Sequence, residues 1–149
     1  MFTKNVLQYE FGIGAINNLV DHVREGNILY LIDSFFKEDD MTSNLPRYYE
    51  SQVFFINSSS EPTTEYIDHI VDEITRKSEI NNIIAIGSGC TIDIGKAVSN
   101  LISNGGRAAE YQGWDLVKKP GIYKIAIPTL SGTGSETSPS GPGRPAHPW

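Results

Sequence analysis

Cysteine is nearly absent from this sequence: Cys90 is the only one in 149 residues. No internal disulfide can form, so the fold must rest on a packed core, and the chain suits a reducing compartment. Long apolar runs are missing too. None approaches the roughly 18–20 residues that a membrane-spanning helix needs. Basic clusters are equally scarce. Twelve Lys and Arg stand against 18 Asp and Glu, for a formal charge of −6, and no cationic cluster exceeds the pair Lys118-Lys119. A nucleic-acid partner, which needs a basic face to neutralise phosphates, is therefore not expected. The opening MFTKNVLQYEFG lacks the charged-then-apolar layout of a signal peptide, and no segment repeats. The expectation is a cytoplasmic chain with neither membrane nor nucleic acid as partner.

What is present reads as one globular domain. At 39% hydrophobic and 20% charged residues, the chain has enough apolar side chains for one core. Val6–Phe11 alternates apolar and polar residues like an early strand. Ile16, Leu19, Val20 and Val23 then recur at helical spacing between Gly14 and Arg24, with Gly26 as a stop signal. Asn27–Asp33 is an apolar run ending in an acid, the pattern of a strand buried on both faces. Residues 34–50 suggest a helix plus loop, and Gln52–Asn57 another buried strand. Thr63 or Thr64 can cap a helix whose stripe is Ile67, Ile70, Val71 and Ile74.

The stretch IIAIGSGCTIDIGKAVSN (residues 83–100) comes next. It predicts a strand over Asn82–Ile86, a turn at Gly87–Gly89 and a helix from about Thr91 to Ser103, closed by Gly105-Gly106. Tyr123–Pro128 is one more strand, leading into the small-residue loop Thr129–Glu136. This alternation predicts an α/β fold: a Rossmann-like parallel sheet with helices on both faces. Ligands of such sheets bind at the carboxyl ends of the strands, where Asp33, Asn57, Gly87–Gly89 and Thr129–Gly134 all fall.

Neither glycine turn matches the dinucleotide fingerprint. Asn17 holds the third glycine position after Gly12 and Gly14, and Ile92 holds it after Gly87 and Gly89. The fingerprint's acid should also come about 20 residues after its glycines, whereas Asp33 precedes the second turn. A Gly-x-Gly of this kind serves as readily as a structural turn. It can equally let backbone amides at a helix start approach a phosphate, with Ser88 and Thr91 adding hydroxyls.

Three motifs, in this order and at these separations, carry a resemblance. GSGCTIDIGKAVS resembles the GGGSxxDxxK segment of the iron-type (group III) alcohol dehydrogenases, which share their fold with dehydroquinate synthase. IPTLSGTGSE is similar to that family's PTxxGTGSE segment, and FGIGAINNL to its FGxGxxxxL turn. The stretch YQGWDLVKKPGIYKIAIPTLSGTGSE further resembles the 3-deoxy-D-manno-octulosonate 8-oxidase branch. The resemblance covers residues 1–136 and implies an NAD(P)-binding α/β domain. It places Gly87, Ser88, Gly89 and Cys90 against the cofactor's pyrophosphate and Asp93 on the motif's acid. Thr129, Leu130 and Thr133 would lie near the nicotinamide, and Asp33 on the adenosine ribose. A carboxylate at Asp33 repels a 2′-phosphate, which favours NAD over NADP. Ser88 and Cys90 depart from the family's glycine and serine.

Each residue also has a plainer reading. Asp93 suits an early helical turn without any ligand. Asp33 can cap the turn of chain after it, Lys96 can be a solvated helix residue, and Cys90 can be a small half-buried side chain. A helix start nonetheless lowers a thiol's pKa. His22 and His69 have no second ligand at metal spacing and read as surface or boundary residues.

The resemblance implies hydride transfer between a small alcohol, in this branch a sugar acid, and NAD, with a divalent metal (iron or zinc) polarising the substrate oxygen. The family's metal ligands, an aspartate and three histidines, lie in a helical domain after the GTGSE segment. None is expected here, so neither catalytic nor metal residues are assigned, and the C-terminal helical metal domain is expected to be absent. Residues 137–149, with four prolines, two glycines and the isolated His147, are expected to be a disordered tail of non-native sequence. A homodimer is left open. The alternatives are therefore a truncated dehydrogenase half, inactive by itself, and a non-catalytic nucleotide-binding or interaction module.

Overall fold

The structure is a computed structural model that describes residues 7–47, 50–112, 116–135 and 137. Val6, Glu136 and the expected tail beyond Thr137 lie outside the described residues. Strands β1 (Ile28–Asp33), β2 (Ser51–Ile56), β3 (Asn82–Gly87) and β4 (Tyr123–Pro128) form one parallel sheet in the order β2-β1-β3-β4.

The sequence of β1 and β3 explains their place. ILYLID and NIIAIG are apolar on both faces, and every residue of each is buried, as central strands require. Leu29, Leu31 and Ile83 face one core, while Ile28, Tyr30, Ile32, Ile84 and Ile86 face the other. β2 and β4 are the edges and remain mostly half-buried.

Helices α3 (Thr64–Thr75) and α4 (Gly89–Asn104) cover the first face. Thr63 caps α3, its hydroxyl accepting from the Tyr66 amide at 3.2 Å. The stripe Ile67, Ile70 and Ile74 is buried, with Val71 partly so. Full burial of each such side chain stabilises the fold by about 1.5–3 kcal/mol. α4 runs from Gly89 and closes at Gly105, whose φ of 74° suits glycine. Short segments cover the second face: a 3-10 turn at Ala15–Asn18 continuing into α1 (Leu19–His22), another 3-10 turn at Ser34–Phe36, and α2 (Asp40–Ser43). Helices thus lie on both faces of the parallel sheet.

One expected strand does not form. Residues 7–11 carry no strand, and Leu7, Tyr9 and Phe11 are 80%, 80% and 93% exposed. Alternation makes a strand only beside a partner, and no strand of the sheet pairs with this segment. The helix expected to Arg24 also stops early, at His22, where Val23 turns extended.

The chain leaves β1 toward β2 on one side, then returns to β3 and proceeds to β4 on the other. The order reverses between β1 and β3, which makes the carboxyl ends of these two strands the topological switch point. Asp33 and Gly87 end those strands.

Candidate functional site

Asp33 is 7% exposed and joins three segments of chain. Its Oδ1 accepts from the Phe35 amide at 3.0 Å, which caps the adjoining 3-10 turn. Its Oδ2 accepts from Ser58 Oγ at 2.6 Å, Thr91 Oγ1 at 3.4 Å and Ser88 Oγ at 3.5 Å. The capping reading of Asp33 thus describes part of its role, and the hydroxyls of the next strand ends account for the rest.

The glycines at the β3–α4 turn are required by protein contacts. Gly87 has φ of 155°, and a Cβ there would lie 2.8 Å from both Asp33 Cβ and Thr91 Oγ1. A Cβ on Gly89 would meet Ser135 Oγ and Thr133 Cβ, each at 2.9 Å. Real Cβ atoms do not approach so closely, so these positions let the loop after β4 and the end of β1 close over the start of α4. Thr129 adds to this closure, its amide donating to Gly87 O at 2.9 Å.

Ser88 is the N-cap residue of α4, yet its side chain makes no cap bond and turns to Asp33 instead. The first N–H groups of a helix have no partner within it and carry partial positive charge. That end of α4 is consequently suited to an anionic group. Asp93, on the next turn, accepts from Ser135 Oγ at 3.2 Å and from Lys96 Nζ at 3.0 Å. Lys96 is only 16% exposed and is a paired residue, not a solvated one.

Cys90 is half-buried and packs against the core beside α4. Burial raises its thiol pKa, and the carboxylates of Asp93, Asp33 and Glu61 push in the same direction. The lowering expected from the helix start is outweighed, because desolvation and nearby acids both disfavour the thiolate. Leu130 and Thr133 are exposed on the closing loop, Leu130 to 62%.

The structure therefore brings Asp33, Gly87, Ser88 and Thr91 together, and sets Gly89 and Asp93 against the loop carrying Thr129, Thr133 and Ser135. Sequence reasoning missed three contributors. Ser58 lies just past a strand end within a polar run, and Ser135 lies inside the GTGSE segment, so position gave a signal for both. Gly95 was the third: a Cβ there would stand 2.9 Å from Ala85 Cβ, so glycine lets α4 sit close on β3. Helix–sheet closeness is the task of the fingerprint's last glycine.

The sequence profile described as iron-containing alcohol dehydrogenase matches residues 7–141. The chain belongs to the iron-containing alcohol dehydrogenase family. Among relatives, the NAD-dependent methanol dehydrogenase of Bacillus methanolicus is 27% identical over 134 residues, covering 85% of this chain and 35% of that protein. Sulfoacetaldehyde reductase of Bilophila wadsworthia is 40% identical over 82 residues, covering 55% of this chain and 21% of that one. A crystal structure of sulfoacetaldehyde reductase from Bifidobacterium kashiwanohense in complex with NAD+ superposes with a TM-score of 0.65 at 25% identity, covering 82% of this chain and 32% of its own. The chain thus spans about a third or less of these relatives' lengths.

Iron-containing relatives imply a metal, and the described side chains do not fit one. Among the described residues no group of three or more His, Cys, Asp or Glu could hold an ion. His22 lies 2.8 Å from Glu10, and His69 is largely exposed beside Glu73. Nor is any described helix long and apolar enough to cross a membrane.

Proposed function

We propose that this chain is the nucleotide-binding half of an NAD-dependent, iron-type alcohol dehydrogenase, with residues 1–136 as its cofactor domain. The observation that supports this reading is the meeting of Asp33 with the start of α4 at the topological switch point. The two features match the two ends of a nucleotide. An acceptor-only carboxylate suits the ribose hydroxyls, and helix amides suit a pyrophosphate. The glycines Gly87 and Gly89, with Ser88, form the turn against which the pyrophosphate would lie. Cys90 and Asp93 carry the first turns of α4, and Thr129, Leu130 and Thr133 flank it from the closing loop. NAD is favoured over NADP because a buried carboxylate repels a 2′-phosphate. Bound NAD supplies hydride transfer to or from a small alcohol or aldehyde. The branch resemblance nominates a sugar acid's primary alcohol.

The test is titration of the chain with NADH and NADPH, wild type against Asp33→Ala. NADH binding is expected to weaken about tenfold or more, the scale of losing hydrogen bonds to a charged group. The preference over NADPH is expected to shrink. Equal NADH affinity in both proteins removes Asp33 from the site. Asp33→Asn keeps the side chain's shape and separates loss of binding from loss of the three hydroxyl contacts that hold the strand ends.

A second reading, a non-catalytic nucleotide-binding module, draws on the lack of a metal-holding group among the described residues. Alcohol-dependent reduction of NAD by the chain with ferrous or zinc ion added would dismiss it. NADH binding without turnover would favour it.

A further inference from the structure

Ser58 stands apart from the three motifs that carry the family resemblance, yet it makes the shortest hydrogen bond to Asp33. Its Oγ lies 2.6 Å from Oδ2, against 3.4 Å for Thr91 and 3.5 Å for Ser88. A carboxylate has two oxygens and about four lone-pair sites. Three hydroxyls converge on Oδ2, whereas Oδ1 receives only the Phe35 amide among the described residues. The more open acceptor is thus Oδ1, and the side chain's rotation decides whether it stays so. Phe35 holds one oxygen from the chain of Asp33 itself; Ser58 holds the other from across the sheet, beyond the end of β2.

Ser58 has a second consequence. A serine hydroxyl carries one hydrogen, and that hydrogen is committed to Asp33. The half-buried oxygen of Ser58 is left with lone pairs only. Asp33 and Ser58 together form a surface of acceptors, which a hydroxyl can satisfy by donating and a phosphate cannot.

We propose that Ser58 is a positioning residue for cofactor recognition: its hydroxyl fixes the Asp33 carboxylate so that the pair accepts a hydrogen bond from the adenosine ribose 2′-hydroxyl. This inference rests on the reading of Asp33 as the ribose acceptor. Ser58 acts through Asp33 and takes no part in hydride transfer.

The experiment pairs Ser58→Ala and Ser58→Thr with two ligands, NADH and its analogue lacking the adenosine 2′-hydroxyl, titrated into the full chain. Wild type is expected to prefer NADH. Ser58→Ala is expected to lose about tenfold in NADH affinity while its affinity for the deoxy analogue stays within about twofold, because the missing hydroxyl is the group that Ser58 serves. Ser58→Thr, which keeps the hydroxyl, is expected to stay within about twofold of wild type on both ligands. A loss of the same size on both ligands, or no loss on either, would overturn the proposal, since a merely structural serine does not distinguish them. Where Ser58→Ala fails to fold, Ser58→Cys gives the same comparison with a weaker donor. Wild-type binding of both ligands with equal affinity defeats the ribose role of Asp33 and Ser58 together. Wild-type binding of neither defeats the cofactor reading on which both stand.

Discussion

Cys90 lies in the first turn of α4, where the helix dipole alone would favour a thiolate. The structure half-buries the sulfur instead and adds the charges of three acids, so its pKa is raised above the ordinary thiol value. At neutral pH its thiolate fraction is therefore smaller than that of a free cysteine, and thiolate is the reactive form. Alkylation by iodoacetamide is expected to be slower than for glutathione at pH 7 and to accelerate only above the ordinary thiol range. A rate faster than glutathione's would mean that the helix start dominates. Asp33 stood out in the sequence as the acid ending an apolar run, and Asp93 as the acid of a glycine-loop motif. Their partners were not, because Ser58 and Ser135 lie 25 and 42 residues away along the chain from the acids they meet. Only tertiary closure reveals such pairs.

Elements that bury both faces announce themselves as apolar runs, which is why β1 and β3 were readable almost to the residue. The helix α4 was readable from its period, but the role of Gly95 within it was not. Its hydrogen faces Ala85 Cβ, and larger side chains must push α4 off β3. Gly95→Val is expected to destabilise the chain by about 3 kcal/mol in a denaturant titration. A neutral result would show that the helix can shift without cost. The edge strand β4 holds a second local conflict. Lys124 pairs in register with Ile83, and its pKa is lowered by burial and secondarily by the charge of Lys96. Its folded pKa lies below the unfolded one, so the unfolded state binds the proton more tightly. Stability from this group therefore rises with pH between the folded pKa and the ordinary lysine value. Lys124→Met is expected to raise the melting temperature at pH 7, with the gain shrinking as pH climbs into that range. A gain constant with pH would assign the effect to packing alone.

At the scale of the whole molecule, stability and apolar exposure are separated along the chain. The two cores lie on the faces of β1 and β3, while Leu7, Tyr9, Phe11 and Ile13 stand 80–110% exposed before the first helical turn. Their alternation suggested a strand because periodicity records how a segment could be buried, without saying what buries it. The Glu10 carboxylate ties this segment to α1 through His22 at 2.8 Å and to Asn18 just before it, and these hydrogen bonds lower its pKa. The apolar side chains alongside contribute little to the isolated fold. Phe11→Ser is accordingly expected to shift unfolding free energy by no more than about 0.5 kcal/mol. Ile84→Ala, which empties a fully buried site at the centre of β3, is expected to cost about 2–5 kcal/mol. The contrast is the informative quantity. If Phe11→Ser destabilises as much as Ile84→Ala, the first described residues are covered in solution, and the alternating pattern was reporting a real burial. If the contrast holds, the folding unit begins near Gly14, and the apolar residues before it are surface that the two cores do not use.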